Sequence, residues 1–405
     1  MHWRVSTYAL MLAAAGLPLY IHLPRYATAE LGMSLATLGA ILAAIRVMDF
    51  AQDPALGWLV DRYPAQKPLL AGLSACGMGT GFVLLYTLRP ETGSLLWFTA
   101  ALVLVFTAYS LGTVLFYGQS AALAGGARGL ARLAGWREGG TLCGIILAAT
   151  APGLLAALGA QGNGYPAFGL LLALVCLLAW VLCRPLWRLP ARVERPLSLS
   201  ELRASGALSL LTLAFVNALP VAITSTLFLF FVEDRLLLPE LAGPFLILFF
   251  LAAGLSVPLW SRAATRHDAT RVLRLGMGLA VLAFVGAGFL PPGSALGFAL
   301  ICAASGAALG ADMVILPVLF AAALDRAGLQ AGSAFGLWTF AAKLALAAAA
   351  ALLLPALALS GYVPGAQNGH SALLALTLAY AGLPCLLKGA AIALATTLPR
   401  EKAPA

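Results

Sequence analysis

The stretch from Arg46 to Arg62, RVMDFAQDPALGWLVDR, sets several ionisable side chains into an otherwise apolar run. At about 100° per residue, Arg46, Asp49, Asp53 and Gly57 fall at i, i+3, i+7 and i+11 and share one helix face. Two carboxylates one turn apart repel unless a cation lies between them, a proton is shared, or a neighbouring Arg offsets one of them. Hard carboxylate oxygens suit Na⁺, and a proton-sharing pair suits H⁺. The competing reading is an Arg46 to Asp49 bridge that holds two helices together. It accounts for one Asp and leaves the other unexplained. Asp61 and Arg62, just past Gly57, read as a conformational latch at the membrane surface, with Gly57 allowing close helix approach.

The elements that must carry these groups follow from composition. Of 405 residues, 62% are hydrophobic and only 10% charged, against about 25% charged in a soluble domain. The mean hydropathy of +0.96 excludes both a soluble fold and a disordered one. Apolar runs long enough to cross a bilayer give twelve spans, the first at 6–29 and the last at 371–397. The opening MHWRVSTYALMLAAAG has the outline of a signal peptide, but the apolar character continues through Pro18 and Tyr20, so it reads as the first span. One Pro- and Arg-rich stretch divides the chain six plus six. The expected organisation is a six-helix bundle over 1–188, a cytoplasmic linker over 189–206, a second six-helix bundle over 207–398, and a cytoplasmic tail over 399–405.

The net charge of +9 does not point to nucleic acid, because the cations cluster at alternate loops. With the N-terminus cytoplasmic, seventeen Lys and Arg lie on the inner side, against Arg25, Arg89 and Arg235 outside. That bias places both termini in the cytoplasm of a bacterial-type inner membrane. The six Cys form no C-x-x-C and read as free thiols. The seven Met form no ladder for copper, and no nucleotide-binding P-loop occurs. No resident cofactor is expected.

At these residues the sequence resembles the glycoside-pentoside-hexuronide:cation symporters, the melibiose-permease branch of the major facilitator superfamily. The RVMDFAQDPALGWLVDR segment resembles the family's second helix. Gly310-Ala-Asp312, then Gly336-Leu-Trp338 through Lys343, then Gly361-Tyr-Val-Pro364, resemble its tenth and eleventh helices and the following loop. The resemblance implies an all-α membrane protein of twelve transmembrane helices in two bundles, working by alternating access. It implies Asp49 and Asp53 as cation-coordinating carboxylates, with Gln52 and Ser110 beside them. Arg137 falls at a sugar-pocket Arg of the fifth helix, and Lys343 at the eleventh-helix Lys near the coupled sites.

The departures argue against a galactoside. Acidic residues that grip sugar hydroxyls in the first and fourth helices are replaced here by Ala13 and Thr113. The solute-facing set becomes Tyr20, His22, Tyr26, Tyr117, Gln119, Arg137, Asn217, Trp338 and Lys343, which is aromatic and cationic. His22 can equally be a hydrogen-bonded interior imidazole. Arg137 and Lys343 favour an anionic or amphipathic solute, since a lone cation in a dry cavity is costly. They can instead form structural pairs, Arg137 with Glu138 or Lys343 with Asp312. The first pairing is disfavoured because adjacent helix residues point about 100° apart.

The expected function is therefore symport of a small organic solute coupled to Na⁺ or H⁺, by a monomer in the lipid bilayer, with no enzymatic activity. Arg46, Gly57, Asp61, Arg62 and Asp312 are the expected gating residues. A lipid or lysolipid carrier of the same fold is the alternative. A membrane-embedded lipid-modifying enzyme would need an acid, base or metal constellation near the headgroups, and none is visible in the sequence.

Overall fold

A computed structural model describes residues 1–19, 22–87, 94–125, 127–160, 164–188 and 195–398. With no water in the bilayer core, each span must satisfy its own backbone groups, and the chain does so with helices. They are α1 (His2–Gly16), α2 (Leu35–Arg62), α3 (Lys67–Tyr86), α4 (Ser94–Gly118), α5 (Ala127–Ala157), α6 (Tyr165–Cys183), α7 (Ala207–Phe230), α8 (Ala242–Arg266), α9 (Ala269–Gly288), α10 (Ala295–Ala327) and α11 (Ala331–Leu359). The last, α12, begins at His370–Thr377, passes through a π turn at Leu378–Gly382 and ends with Leu383–Thr397.

Ten of these helices, searched over the described residues, are long and apolar enough to cross a membrane. The other two spans of the twelve are the first and second. After α1 the first span passes through a 3-10 turn at Leu17–Leu19, a short helix His22–Arg25 and a π turn Tyr26–Glu30. Helix α2, 28 residues and so about 42 Å long, carries Arg46, Asp49 and Asp53 along its length. Internal prolines such as Pro54, Pro152, Pro220, Pro258, Pro317 and Pro355 are accommodated within α2, α5, α7, α8, α10 and α11. Each removes one ladder hydrogen bond.

The chain forms two compact units. The first comprises Met1–Gly125, Trp136–Leu197 and Gly328–Phe340; the second comprises Gly126–Gly135, Ser198–Ala327 and Ala341–Ala405. The beginning of α11 therefore belongs with α1–α6, although the six-plus-six reading put it in the second bundle. Within the first unit α2 packs on α4, α3 packs on α4 and α6, and α1 packs on α6. Backbone bonds from Arg195 N to Gly328 O (2.7 Å) and from Gln330 N to Arg195 O (3.0 Å) tie the end of the linker to the approach to α11. Linker residues 189–194 and the tail 399–405 lie outside the described residues.

In the second unit α8 packs along α10, α9 packs on α10 and α12, and α7 packs on α12. Phe231 and Tyr380 stack at 4.1 Å in its aromatic core. Small residues set the helix spacing, as expected where apolar burial gives no drive between helices in lipid. Gly306 leaves no room for a Cβ against the Phe249 carbonyl of α8, and one on Gly310 would lie 2.6 Å from the Ala253 carbonyl. In the first unit Gly140 and Gly144 of α5 seat the backbone of α1 at Ser6 and Leu10 in the same way.

Overpacking at such a contact destabilises by about 1–3 kcal/mol. Gly306→Val should therefore lower the thermal midpoint of the detergent-solubilised protein by several degrees. Gly389→Val, where an added Cβ meets nothing within 4 Å, should leave it nearly unchanged.

Candidate cation and solute site

Helix α2 carries three acids along one side, at 49, 53 and 61. Asp49 and Asp53 are both fully buried, one turn apart and so about 6 Å along the axis. Gln52 Nε2 donates to Asp49 Oδ1 at 2.5 Å, and Gln52 Oε1 accepts from Thr107 Oγ1 of α4 at 2.9 Å. Arg46 Nη1 lies 3.7 Å from Asp49 Oδ2. The expected Arg46 to Asp49 bridge is thus present as a loose contact, while the Gln52 amide, itself held by the Thr107 hydroxyl, donates to the other oxygen. Ser110, one turn along α4 from Thr107, is buried as well. Thr107 was not singled out in the sequence because one hydroxyl in a span is common.

Next to the acids, the same side of α2 lies against the first turns of α11. Phe50 meets Phe340 edge-on, with ring centroids 5.8 Å apart. A Cβ on Gly336 would stand 2.7 Å from the Asp53 carbonyl, and one on Gly57 would stand 2.6 Å from the Gly332 carbonyl. At the end of this seam Asp61 accepts from Gly332 N at 2.9 Å and Ser333 N at 2.5 Å. These are N–H groups of the first turn of α11, which have no intrahelical partner, and a carboxylate there also meets the positive end of the helix dipole. Arg62 is exposed.

Near that end of the unit stands an aromatic and ionic cluster. Arg137 Nε donates to Glu138 Oε1 at 2.8 Å, both residues being buried, and its guanidinium lies 4.5 Å from the Tyr117 ring centroid. The argument from adjacency against this pair is overturned. The side chains are long enough to bridge a 100° offset, and burial favours the contact because an uncompensated charge would be costly. Tyr117 in turn packs on Phe335 at 5.5 Å, and Phe335 on Trp338 at 6.1 Å. Gln119 lies nearby in sequence but is buried and accepts from Lys67 Nζ at 2.9 Å.

His22 and Tyr26 belong to a separate group. His22 Nε2 donates to the Ala148 carbonyl at 2.9 Å and its ring meets Phe168, while Tyr26 is enclosed by Tyr86 and Tyr165. Ala148 is eleven residues along α5 from Arg137, about 16 Å, so these two do not join the Tyr117 cluster. Tyr20 lies outside the described residues.

In the second unit Lys343 is half-buried on α11. It does not engage Asp312, and the alternative pairing of those two is corrected: Lys388 of α12 donates to Asp312 Oδ2 at 2.5 Å and to Asn217 Oδ1 at 2.6 Å. All three residues are buried. Asn217 is therefore part of an ionic triad joining α7, α10 and α12, and Asp312 is its acid. Lys388 was overlooked in the sequence, although a lone cation in an apolar span is itself a signal. Among the described residues no group of three His, Cys, Asp or Glu side chains gathers as a metal-ligand set.

Removing one member of a buried ion pair costs about 3–5 kcal/mol, whereas replacing both partners is far milder. Lys388→Met should destabilise the protein strongly in a thermal or denaturant titration, and Lys388→Met combined with Asp312→Leu should recover much of the loss.

The fold has close relatives among solved structures. A bacterial homologue of the iron transporter ferroportin, in an outward-facing state, superposes with a TM-score of 0.73 at 15% identity, covering 97% of this chain and 99% of that one. The E. coli fucose:proton symporter FucP gives 0.66 at 13% identity, covering 96% and 98%. The proton:xylose symporter XylE gives 0.66 at 12%, covering 96% and 95%. At such identities the likeness carries the twelve-helix fold alone. No curated protein matches the sequence. The family described as MFS/sugar transport protein matches over residues 5–401, and the chain accordingly belongs to that family of multi-pass membrane proteins and is a secondary transporter of the major facilitator fold.

Proposed function

We propose that this transporter is a symporter coupling Na⁺ or H⁺ to the movement of a small organic solute, with Asp49 and Asp53 receiving the cation. The observation that carries the reading is the complete burial of both acids on one helix, with the Gln52 amide and the Arg46 guanidinium at Asp49 and the Thr107 hydroxyl behind the amide. Pro54 cannot donate to the Phe50 carbonyl, which leaves one more oxygen beside the acids. A monovalent ion or proton entering there offsets repulsion between the carboxylates, so its binding stabilises whichever conformer holds them together.

The solute is anionic or amphipathic rather than a galactoside in this reading. Thr113, standing where a sugar-gripping acid is expected, gives its hydroxyl to its own helix at the Tyr109 carbonyl, 2.9 Å away. Tyr117, Trp338 and the Arg137–Glu138 pair offer an aromatic surface with one paired charge. Asp61, bound to the start of α11, acts as the latch, with Gly57 permitting the approach. Both termini face the cytoplasm of a bacterial-type plasma membrane, and the protein acts as a monomer.

Two measurements test this. In proteoliposomes screened with a panel of small carboxylates, amphiphiles and sugars, cation-driven uptake should fall at least about tenfold in Asp49→Asn and Asp53→Asn, the size expected for losing one charge-assisted contact. Both variants should still fold. Undiminished coupled uptake in both would remove the cation role. For the latch, Asp61→Asn should speed hydrogen exchange at the Gly332 and Ser333 amides by about tenfold, and unchanged exchange would show that Asp61 does not hold the helix start.

A further inference from the structure

The surface where α3 meets α6 carries features that transport does not use. A groove of about 330 Å³ runs between the two helices, lined by Cys76, Gly79, Thr80, Leu84, Leu177 and Trp180 among others. Glycines open it: Gly79 lies against Ala173, and a Cβ on Gly72 would stand 3.0 Å from the Trp180 indole nitrogen. Its flanks are bare leucines, with Leu69 59% and Leu73 55% exposed on α3 and Leu177 and Leu178 each 50% exposed on α6. From Gly72 to Leu84 is twelve residues, about 18 Å. One leaflet of hydrocarbon is about 15 Å deep.

One end of this groove is cationic. The Arg184 guanidinium lies 4.2 Å from the Trp180 ring centroid, so the pair stacks at the groove mouth. Cys183 Sγ donates to the Arg4 carbonyl at 3.1 Å, which brings the start of α1 to the same end. Arg4 Nε is buried and, among the described residues, has no hydrogen-bond partner. Arg188, four residues after Arg184, is exposed. Helices α1, α3 and α6 contain no Asp or Glu, and no carboxylate pairs with Arg4, Arg184 or Arg188 among the described residues.

We propose that this groove is a binding site for an anionic phospholipid, one acyl chain lying between α3 and α6 and the phosphate held by Arg184 with Arg4 and Arg188. The apolar part sits at acyl depth and the cations at headgroup depth, the order an amphiphile requires. Three clustered cations without an acid favour a net-negative headgroup over a zwitterionic one, whose ammonium would sit among like charges. Trp180, an amphipathic ring with its N–H near the mouth, suits the boundary between the two regions. The site does not depend on the identity of the coupling ion or of the solute.

The full-length protein, placed in bilayer nanodiscs of phosphatidylcholine alone or with one-third phosphatidylglycerol of the same acyl chains, provides the test. Phosphatidylglycerol should raise the melting temperature and be retained in native mass spectrometry in preference to phosphatidylcholine. Arg184→Gln should weaken that retention about fivefold, the effect of one cation near a membrane surface. Cys76→Trp, which fills the groove from its exposed wall, should weaken it without changing the charge. Arg262→Gln, at the end of α8 in the second unit, should leave it intact. Equal retention of both lipids, or equal losses in Arg184→Gln and Arg262→Gln, would reduce the effect to diffuse charge and overturn the site.

Discussion

A carboxylate inside a bilayer span has to meet a positive charge, a proton or a set of donors, because the surroundings offer almost no solvation. The second span carries two such groups a turn apart, both shut away from solvent. Their neighbours account for the local design: Arg46 approaches Asp49 from one side, and Gln52, relayed by Thr107, approaches from the other. The packing of α2 on α4 is organised around keeping these polar atoms supplied within an apolar unit. A helix made of leucine at the same positions would insert more readily and would have no buried acid to satisfy.

The same side of the helix has a second obligation further along, where it must let α11 come close. Glycines at 57, 332 and 336 bring the two backbones to a separation that a methyl group would prevent. Asp61 closes the seam by satisfying two N–H groups that the start of any helix leaves open. The buried acids and the glycine seam thus lie on one side of a single helix, and the Asp53 carbonyl is itself part of the seam. Helix α11 then continues from the first unit into the second.

Much of this was legible in the sequence, for reasons that differ between features. The spans follow from hydropathy, which depends only on local composition, and the alignment of Arg46, Asp49, Asp53 and Gly57 follows from helix geometry alone. The bond from Asp61 to α11 joins residues 271 apart, and only the acid's place after Gly57 set it apart in the sequence. What could not be read were partnerships chosen in three dimensions. Lys388, Asn217 and Asp312 sit on three helices and no spacing rule connects them. His22 and Tyr26 sit beside other polar candidates in the sequence, but the fold turns them into an aromatic group some 16 Å from Arg137. Arg137 and Glu138 were underrated as a pair because the backbone angle was weighed without the reach of the side chains.

The triad in the second unit also bears on how the molecule is made. Asp312 enters the membrane with α10, but the ammonium that neutralises it is encoded 76 residues later. At ribosomal speeds of about 5–20 residues per second, the acid waits roughly 4–15 seconds for its counter-charge. During that interval the nascent bundle holds a carboxyl group whose partner ammonium has yet to arrive. Biogenesis of this half is therefore committed last, when the twelfth span docks, and a chain stalled before it presents a recognisable charged flaw to quality control.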